Sequence, residues 1–477
     1  MHCTYFLILT SSIIFTTMAA SKLTKEMSSI ATSNTQFGFD LFRFCGREQP
    51  NQNLFMSPFS ISTALALTHL GARGDTAKEM KKVLHWSSDE EIARGFSGYL
   101  PLLKQSDGAG YVLVGAQRVY VSKILSVNPD FNKAATQQFS SDAQEADFRG
   151  NPDVERVNIN KWVGDQTRGK VQDLLPSGSI TPDTAMVLIQ ATYFKGKWMH
   201  QFDPRLTQKA EFYAPGGTLM VDMMRKEREF RYHHNEELKC AAVELPYMNN
   251  TGGDYGHDLS MLVLLPDARD GLNDLEAQLS HDSLDKIMKS LRSVKVNLQL
   301  PRFSMESSFE LKKPLSSLGM PTAFSDKADF TGIANDLFIS EVFHKDVIDV
   351  NEEGSEAAAA TAVHAVVEVN EEGSEAAAAT GVVMMMRSMP IIRPFVADHP
   401  FLFFIADKRA VVDLNEEGSE AAAATGVVRA RRSVPIIVLC IADHPFLFFI
   451  TDKRADMVLF MGRLFKPSSG ATSRDEL

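Results

Sequence analysis

Two kinds of hydrophobic spacing divide the chain, one typical of helices and one typical of strands. Apolar residues recur at helical spacing over 37–44 and again over 61–70, where Ser57 and Pro58 precede the segment as a helix cap would. Three later segments alternate or run apolar as strands do, at 111–121, 259–265 and 294–300. Because helices come mostly first and strands mostly later, the pattern predicts an α+β fold with large antiparallel sheets, not a doubly wound parallel sheet.

The C-terminal part of the chain repeats itself. Residues 366–410 and 411–455 are one 45-residue cassette present twice, with 34 identical positions, and a partial copy covers 347–365. Every copy contains the sequence Asn-Glu-Glu-Gly-Ser-Glu-Ala-Ala-Ala-Ala-Thr, which starts at Asn351, Asn370 and Asn415. A repeat of this length often builds a solenoid, but solenoid units continue through the whole domain. We therefore interpret 347–410 as duplicated cassettes inserted in one domain.

Composition and charge exclude several classes of function. The 477 residues are 44% apolar and 23% charged, as in a globular protein with an ample core. The formal charge of −11 and the lack of a dense basic patch argue against nucleic acid or an anionic membrane as the partner. Beyond the N-terminus, no segment is long and apolar enough to span a bilayer. Cys45, Cys240 and Cys440 have no metal-site spacing, so we expect buried free thiols.

Both ends of the chain resemble address signals. Residues 1–19 contain an apolar run followed by small residues, which is typical of a cleaved signal peptide, although translation from Met18 or Met27 is an alternative because no basic residue precedes the run. The tail 468–477 ends in Arg-Asp-Glu-Leu, a sequence that resembles the endoplasmic reticulum retrieval signal. Asn249 lies in a glycosylation acceptor sequence. These features predict the secretory pathway, in the lumen of the endoplasmic reticulum or Golgi, or secretion from the cell.

Several longer motifs occur in the order found in one protein family. They are Asn53-Leu-Phe-Met-Ser-Pro-Phe-Ser-Ile-Ser, Tyr193-Phe-Lys-Gly-Lys-Trp, Asp258-Leu-Ser-Met-Leu-Val-Leu-Leu-Pro, Ile339-Ser-Glu-Val-Phe-His-Lys and Ala442-Asp-His-Pro-Phe-Leu-Phe-Phe-Ile. On these motifs the chain resembles the serpins, most closely the ovalbumin-related, leukocyte-elastase-inhibitor type. The resemblance implies a single serpin domain over 28–467, with helices around a large central sheet and an exposed reactive loop.

The resemblance also implies a mechanism in which a protease cleaves the reactive loop, becomes acylated, and is trapped when the loop inserts as a new strand into the central sheet. Insertion needs small residues on the inward side of the new strand, since added methylenes cause strain in a closed interior. In the last copy Gly418 would be the pivot of this hinge, and the inward residues would be Ser419, Ala421, Ala423 and Thr425. The alternative is that the alanine run forms a short helix or linker.

Counting forward from this hinge as the family does places the cleaved bond at Arg432-Ser433. Arg429, Ala430 and Arg431 precede it, and an Arg-Xaa-Arg-Arg sequence suits the acidic subsites of furin-type proprotein convertases. A solvated basic run or a simple processing site are the alternatives. The middle copy places Arg387-Ser388 at the same distance from its hinge, a bait suited to trypsin-like proteases.

The duplication conflicts with a fold that has one position for the strand after the loop. The segments 397–405 and 442–450 carry the same Ala-Asp-His-Pro-Phe-Leu-Phe-Phe-Ile sequence, and only the second continues into 457–465, the final strand of the family. We expect the first to have nowhere to pack and to promote aggregation. Our hypothesis is that alternative cassettes are joined in one deduced sequence and that natural molecules carry one each.

A second departure from the family concerns a polar cluster that helps to close the central sheet. The resemblance assigns this cluster to Ser57, Ser60 and His344, together with an asparagine for which Gln190 stands here. The longer amide is expected to alter the hydrogen bonding of the cluster and the ease of sheet opening. For Ser57 a helix-capping role and for His344 that of an ordinary core histidine are compatible alternatives.

Three function classes follow for comparison. The first is an inhibitor of furin-like endopeptidases; it would be a monomer without cofactor or metal, and Arg474 to Leu477 would bind the retrieval receptor. The second is a non-inhibitory serpin chaperone of the endoplasmic reticulum, because the collagen-binding serpin also ends in Arg-Asp-Glu-Leu. The third is an inhibitor of trypsin- or elastase-like proteases outside that compartment. We expect no enzymatic activity, since no ordered nucleophile, base and orienting residue are visible.

Overall fold

The computed structural model describes residues 23–103, 111–248, 259–356, 393–395, 402–403, 438–444, 446–452 and 457–467. The helices of this described part are α1 (Lys25–Glu48), α2 (Pro58–His69), α3 (Gly74–Val83), α4 (Asp89–Leu103), α5 (Pro129–Phe139), α6 (Pro152–Gln166), α7 (Leu272–Gln278), α8 (His281–Ser290) and α9 (Lys312–Leu318). Short 3-10 helices lie at Pro204–Leu206 and Thr322–Phe324.

The strands of the same residues are β1 (Leu54–Met56), β2 (Tyr111–Ser122), β3 (Ala143–Ala146), β4 (Met186–Lys197), β5 (Gln208–Ala214), β6 (Gly217–Asn235), β7 (Cys240–Pro246), β8 (Leu259–Pro266), β9 (Arg292–Pro301), β10 (Phe303–Glu310), β11 (Glu341–Val350), β12 (Gly354–Glu356), β13 (Arg393–Phe395), β14 (Leu402–Phe403), β15 (Val438–Ile441), β16 (Phe446–Asp452) and β17 (Met457–Leu464).

Local sequence explains where the first helices begin. In α1 the Thr24 hydroxyl accepts a hydrogen bond from the Met27 backbone, and the helix extends well beyond the predicted segment 37–44 on both sides. In α2 the Ser57 hydroxyl accepts from the Ser60 backbone, and Pro58 occupies the first turn, where it costs no hydrogen bond. Every residue of α2 is buried, and the hydroxyls of its buried Ser62, Thr63 and Thr68 donate hydrogen bonds to carbonyls one turn back in the same helix.

The strands form two sheets, which confirms the predicted α+β class. The larger sheet has the order β1-β17-β16-β8-β7-β6-β9-β15-β13, with β5 on β6 and β14 on β8. The six-stranded sheet, called the central sheet here, has the order β10-β11-β12-β4-β2-β3. Most neighbours are antiparallel, but β11 and β4 also pair directly in parallel from Glu341–Val187 to Val347–Tyr193. The predicted strands are confirmed as β2, β8 and β9.

The central strand β4 is covered on both faces. Its residues Leu188 and Phe194 belong to the main apolar core, which also contains α1, α2 and β17. Its residues Val187 and Ile189 point the other way, into a second cluster that includes Ile159 of α6. A strand that enters the sheet beside β4 therefore meets packed side chains on both sides, which favours small residues.

None of the described helices combines the length and the apolar character that crossing a membrane requires.

Candidate functional site

The first functional feature is the turn between β11 and β12, which we call the hinge. The carboxamide oxygen of Asn351 accepts hydrogen bonds from the backbone nitrogens of Glu353 (3.0 Å) and Gly354 (3.2 Å), so the asparagine side chain fixes the turn. The buried Trp198, which directly follows β4, donates two hydrogen bonds to the turn. Its indole donates to the carbonyl of Asn351 at 2.9 Å, and its backbone nitrogen donates to the carbonyl of Glu353 at 2.8 Å. The hinge therefore has one defined geometry.

Beyond the turn, β12 lies between β11 and β4 and is antiparallel to both. It pairs Ser355 with Val350 of β11 and with Gly196 of β4. Gly354 approaches β4 so closely that a Cβ there would overlap the carbonyl oxygen of Gly196 and lie 2.7 Å from the Cα of Lys197. A glycine is thus required at this position by the close approach of two backbones.

Ser355 faces the interior. It is fully buried, and its hydroxyl shares a hydrogen bond of 2.6 Å with the hydroxyl of Tyr247. Tyr247 is itself buried, which raises the pKa of its phenol well above the ordinary value, and its ring stacks on Trp198 at 4.7 Å between centroids. The first inward position of β12 thus accepts a small hydroxyl side chain in a closed pocket.

The second feature is the polar cluster below β12, where β11 and β4 meet directly and Gln190 pairs with His344. The Nε2 atom of His344 accepts from the backbone of Ser57 at 3.1 Å and lies 2.8 Å from Oδ2 of Asp346. One ring nitrogen cannot accept from the first and donate to the second in a single protonation state. The Nδ1 atom of His344 has no partner among the described residues.

The predicted cluster residues come together only in part. Ser57 contacts His344 and also donates its hydroxyl to the carbonyl of Leu459, at 2.8 Å, while Ser60 contributes its backbone to the cap of α2. Gln190 is fully buried, and neither its amide oxygen nor its amide nitrogen has a partner within the described part of the chain. Asp346, which the sequence reasoning missed, replaces it as the polar neighbour of His344.

The third feature is the position for the strand that follows the loop. β15 pairs in parallel with β9, and β16 lies between β8 and β17. As predicted, the second copy of the repeated sequence, 442–450, is followed by the final strand, β17. The expectation that 397–405 has nowhere to pack is wrong for Leu402 and Phe403, because β14 pairs them with Leu264 and Val263 of β8.

β16 pairs with the same residues of β8, since Leu447 and Phe448 also pair with Leu264 and Val263. Equivalent residues of the two copies of the repeated sequence thus have the same register on β8.

The hinge that the structure describes belongs to the first copy, which contains β12 and is directly continuous with β11. The predicted hinge in the last copy lies outside the described residues and stays a prediction. The signal was available in the sequence, because the first copy follows the Ile339-to-Lys345 motif without a break.

Several predicted site residues lie outside the described residues. They are the hinge residues Gly418, Ser419, Ala421, Ala423 and Thr425, the bait residues Arg429, Ala430, Arg431, Arg432 and Ser433, the alternative bond Arg387-Ser388, and Asn249. The segments 1–19 and 468–477 lie outside as well. The predicted thiols are described and confirmed: Cys45, Cys240 and Cys440 are free and buried, and burial raises the pKa of Cys45 to about 12.

Comparisons with known proteins agree with this geometry. A family model described as "Serpin (serine protease inhibitor)" matches residues 32–365, 362–410 and 408–467. The leukocyte elastase inhibitor of Bos taurus is 40% identical over 391 residues, which is 80% of this chain and 96% of the relative. That of Homo sapiens is 38% identical over 389 residues, with the same shares.

Solved structures give the same result. Serpin48 of the insect Tenebrio molitor is 29% identical with a TM-score of 0.69, over 94% of this chain and 100% of that one. Uncleaved ovalbumin, at 24% identity, 92% and 100% coverage and a TM-score of 0.70, shows the fold alone. We expected only that the chain has no enzymatic activity. The family match corrects this expectation by assigning the chain to a family described as serine protease inhibitors.

Proposed function

The chain belongs to the serpin family, and we propose that it inhibits furin-like serine endopeptidases of the secretory pathway as a suicide substrate. In this proposal the protease cleaves Arg432-Ser433, and the hinge then draws the cleaved loop into the central sheet. The trapped acyl-enzyme is carried along with the loop.

The observation that carries the proposal is the placement of β12, the strand that directly follows the hinge. Gly354, Ser355 and Glu356 lie between β4 and β11 as the beginning of a further strand. The last copy has the same Asn-Glu-Glu-Gly-Ser-Glu sequence, so it can make the same contacts when it follows β11 directly.

The strand register supports insertion beyond this beginning. If β12 were extended, each step along it would move one step down β4 and β11, and residue 361 would lie between Gln190 and His344. That residue is a threonine in the first copy, and its counterpart in the last copy is Thr425. A hydroxyl both donates and accepts, so it suits the Gln190 amide and the Nδ1 atom of His344, which have no partners among the described residues.

The choice of protease rests on the bait sequence. Arg429, Arg431 and Arg432 present three guanidinium groups at the spacing that acidic convertase subsites bind. Residues 1–19 and the terminal Arg-Asp-Glu-Leu support a meeting place in the secretory pathway, with the retrieval receptor as a partner.

The test uses the single-copy chain, in which residue 350 is joined to residue 415. This deletion removes 351–414 and restores the same hinge sequence after β11. Mixed with furin, the single-copy chain should form a covalent complex that survives denaturant. Ser419→Arg should be cleaved at Arg432 without forming the complex, because an unpaired cation would enter the pocket that Ser355 occupies. Cleaved serpin and fully active furin from the parent would refute the proposal.

A second candidate is inhibition of elastase- or trypsin-like proteases outside the secretory pathway. The observation that favours it is the 40% identity to a protein named leukocyte elastase inhibitor. The same complex assay with pancreatic elastase and trypsin separates the two candidates. A chaperone role gains no support from the described residues, since binding a client does not require a small-residue hinge.

A further inference from the structure

Two copies of the repeated sequence lie side by side at one end of the larger sheet. β15 pairs in parallel with β9, and β13 pairs in parallel with β15 as the last strand in the order of the sheet. The pairs run from Arg393–Val438 to Phe395–Cys440, so each residue of β13 lies opposite its own equivalent, 45 positions later in the chain. The outer edge of β15 therefore accepts a strand of the chain's own repeated sequence in one defined register.

The backbone of β15 determines which of its groups face this strand. The N–H of Ala442 donates to the carbonyl oxygen of Gln299 on β9 at 2.6 Å. Successive residues of an extended strand direct their N–H and C=O groups alternately to its two sides, so Leu439 and Ile441 direct theirs away from β9. These two residues present the hydrogen-bonding groups of the outer edge, and Leu439 is paired with Pro394 of β13.

A proline suits β13 as the last strand of the sheet. In a parallel pair, a residue that faces its neighbour bonds to the residues before and after its partner. The N–H of Leu439 is therefore directed at the carbonyl of Arg393, and the carbonyl of Leu439 at the N–H of Phe395. The nitrogen of Pro394 is directed outward, where it offers no donor to a further strand.

We propose that the outer edge of β15 is a binding site for an extended peptide, which joins the sheet as a parallel strand. The intact chain of 477 residues fills this site with β13, which belongs to its middle copy. The single-copy chain lacks β13, so β15 becomes an edge strand with unpaired backbone groups. It takes up the segment 391–397 of another molecule, because that segment already has the register seen on β15. The equivalent segment of the last copy is held on β9 in its own molecule.

The geometry defines what a peptide must supply. The residue opposite Leu439 can be a proline, since its nitrogen faces away from β15, but the next residue must have an N–H for the carbonyl of Leu439. The sequence of 391–397, Ile-Ile-Arg-Pro-Phe-Val-Ala, meets both conditions. A peptide in which Pro394 and Phe395 are exchanged has the same composition but lacks this donor.

In the intact chain a free peptide has to compete with β13. This strand is tethered to β15 through residues 396–437, which is 42 residues, and a tether keeps the local concentration of the strand high. The intact chain should therefore bind the peptide poorly until β13 is released.

The first test uses the intact chain and a fluorescent peptide of residues 391–397. Phe395→Pro removes the N–H that faces the carbonyl of Leu439 and should release β13, whereas Phe395→Ala keeps this N–H and is the matched control. By fluorescence anisotropy, the proline variant should bind the peptide at least about tenfold more tightly than the alanine variant and the parent, because the tethered competitor is gone. Equal binding by the two variants would overturn the assignment of this edge.

The single-copy chain gives an independent measurement if the proline variant does not fold. The peptide should protect the amide hydrogens of Leu439 and Ile441 from exchange, whereas that of Cys440, which faces β9, should be protected with or without peptide. The exchanged peptide should bind about tenfold more weakly, because one backbone hydrogen bond is lost and an acceptor is left unpaired.

Three results with the single-copy chain would overturn the inference. The first is no binding of the peptide, or equal binding of both peptides. The second is protection of the central sheet in place of β15. The third is a dimer of the single-copy chain that pairs through β15 and takes up no peptide, because the edge would then serve a second copy of the chain and not this segment.

Discussion

Replacing the hinge glycine tests the contact on which the whole site depends. In the single-copy chain Gly418 takes the place of Gly354, so the change is Gly418→Ala. The added Cβ would overlap the carbonyl oxygen of Gly196 and lie 2.7 Å from the Cα of Lys197. Both obstacles are backbone atoms of β4, which cannot rotate away as a side chain could. The hinge would therefore have to leave its position between β4 and β11.

The size of the effect follows from the cost of overpacking. Forcing an extra methyl into a closed interior costs about 1–3 kcal/mol. If the hinge must be seated before the strand can advance, insertion slows by about 5- to 150-fold. Deacylation of the acyl-enzyme does not involve the hinge, so it would compete better with the slowed insertion. A larger fraction of the serpin molecules would then be cleaved without forming a complex.

The assay is the number of serpin molecules needed to inhibit one molecule of furin, together with the yield of denaturant-stable complex. Gly418→Ala should need several times more serpin than the parent does, and it should still be cleaved at Arg432. Gly164→Ala in α6 is the matched control, because the nearest atom to its added Cβ is 3.9 Å away. If both variants inhibited as well as the parent, seating of the hinge would not limit insertion, and the reasoning would be wrong.

Three further predictions concern the bait, the polar cluster and an ion pair. Arg429→Ala should weaken inhibition of furin about 10- to 100-fold by removing one charge-assisted contact, while trypsin is nearly unaffected; equal losses in the rate of inhibition would contradict the subsite assignment. Gln190→Met should raise the free energy of unfolding in urea by about 1–3 kcal/mol, because it removes two buried polar atoms that have no partner in the described part of the chain, and a loss of stability would show that these atoms have partners in solution. The hydrogen bond that the His234 ring donates to the carboxylate of Asp267 raises the pKa of His234. This pair therefore stabilises the fold below the ordinary pKa of histidine and loses that effect as the pH rises through the raised pKa. His234→Gln should destabilise more at about pH 5 than at about pH 9, and the opposite order would refute the assignment.

Much of the fold could be predicted from local sequence because the signals are local. The cap at Ser57 and the fully buried, mostly apolar strand β8 each define an element within a few residues. The length of α1 could not be predicted in the same way. Its first half contains several serine and threonine residues, and it is helical because Ile30 and Ala31 are buried against the core.

The site depended on information that no short segment contains. Three identical hinge sequences cannot be distinguished by pattern, and only continuity with β11 selects the first. The family resemblance singles out Gln190, but strand register decides that its amide has no partner among the residues that the structure describes. Asp346 was missed because an acidic residue in a strand has many ordinary explanations, and its position beside His344 is set by tertiary packing.

The indole of Trp198 is a natural optical probe of the hinge. Its N–H is bonded to the carbonyl of Asn351, and its ring stacks on Tyr247, whose hydroxyl bonds Ser355. The polarity around this indole therefore changes whenever the hinge moves, and tryptophan emission shifts in wavelength with the polarity of its surroundings. The other two tryptophans, Trp86 and Trp162, contact different aromatic rings away from the turn. Stopped-flow fluorescence of the unlabelled protein can thus time the movement of the hinge during an encounter with a protease.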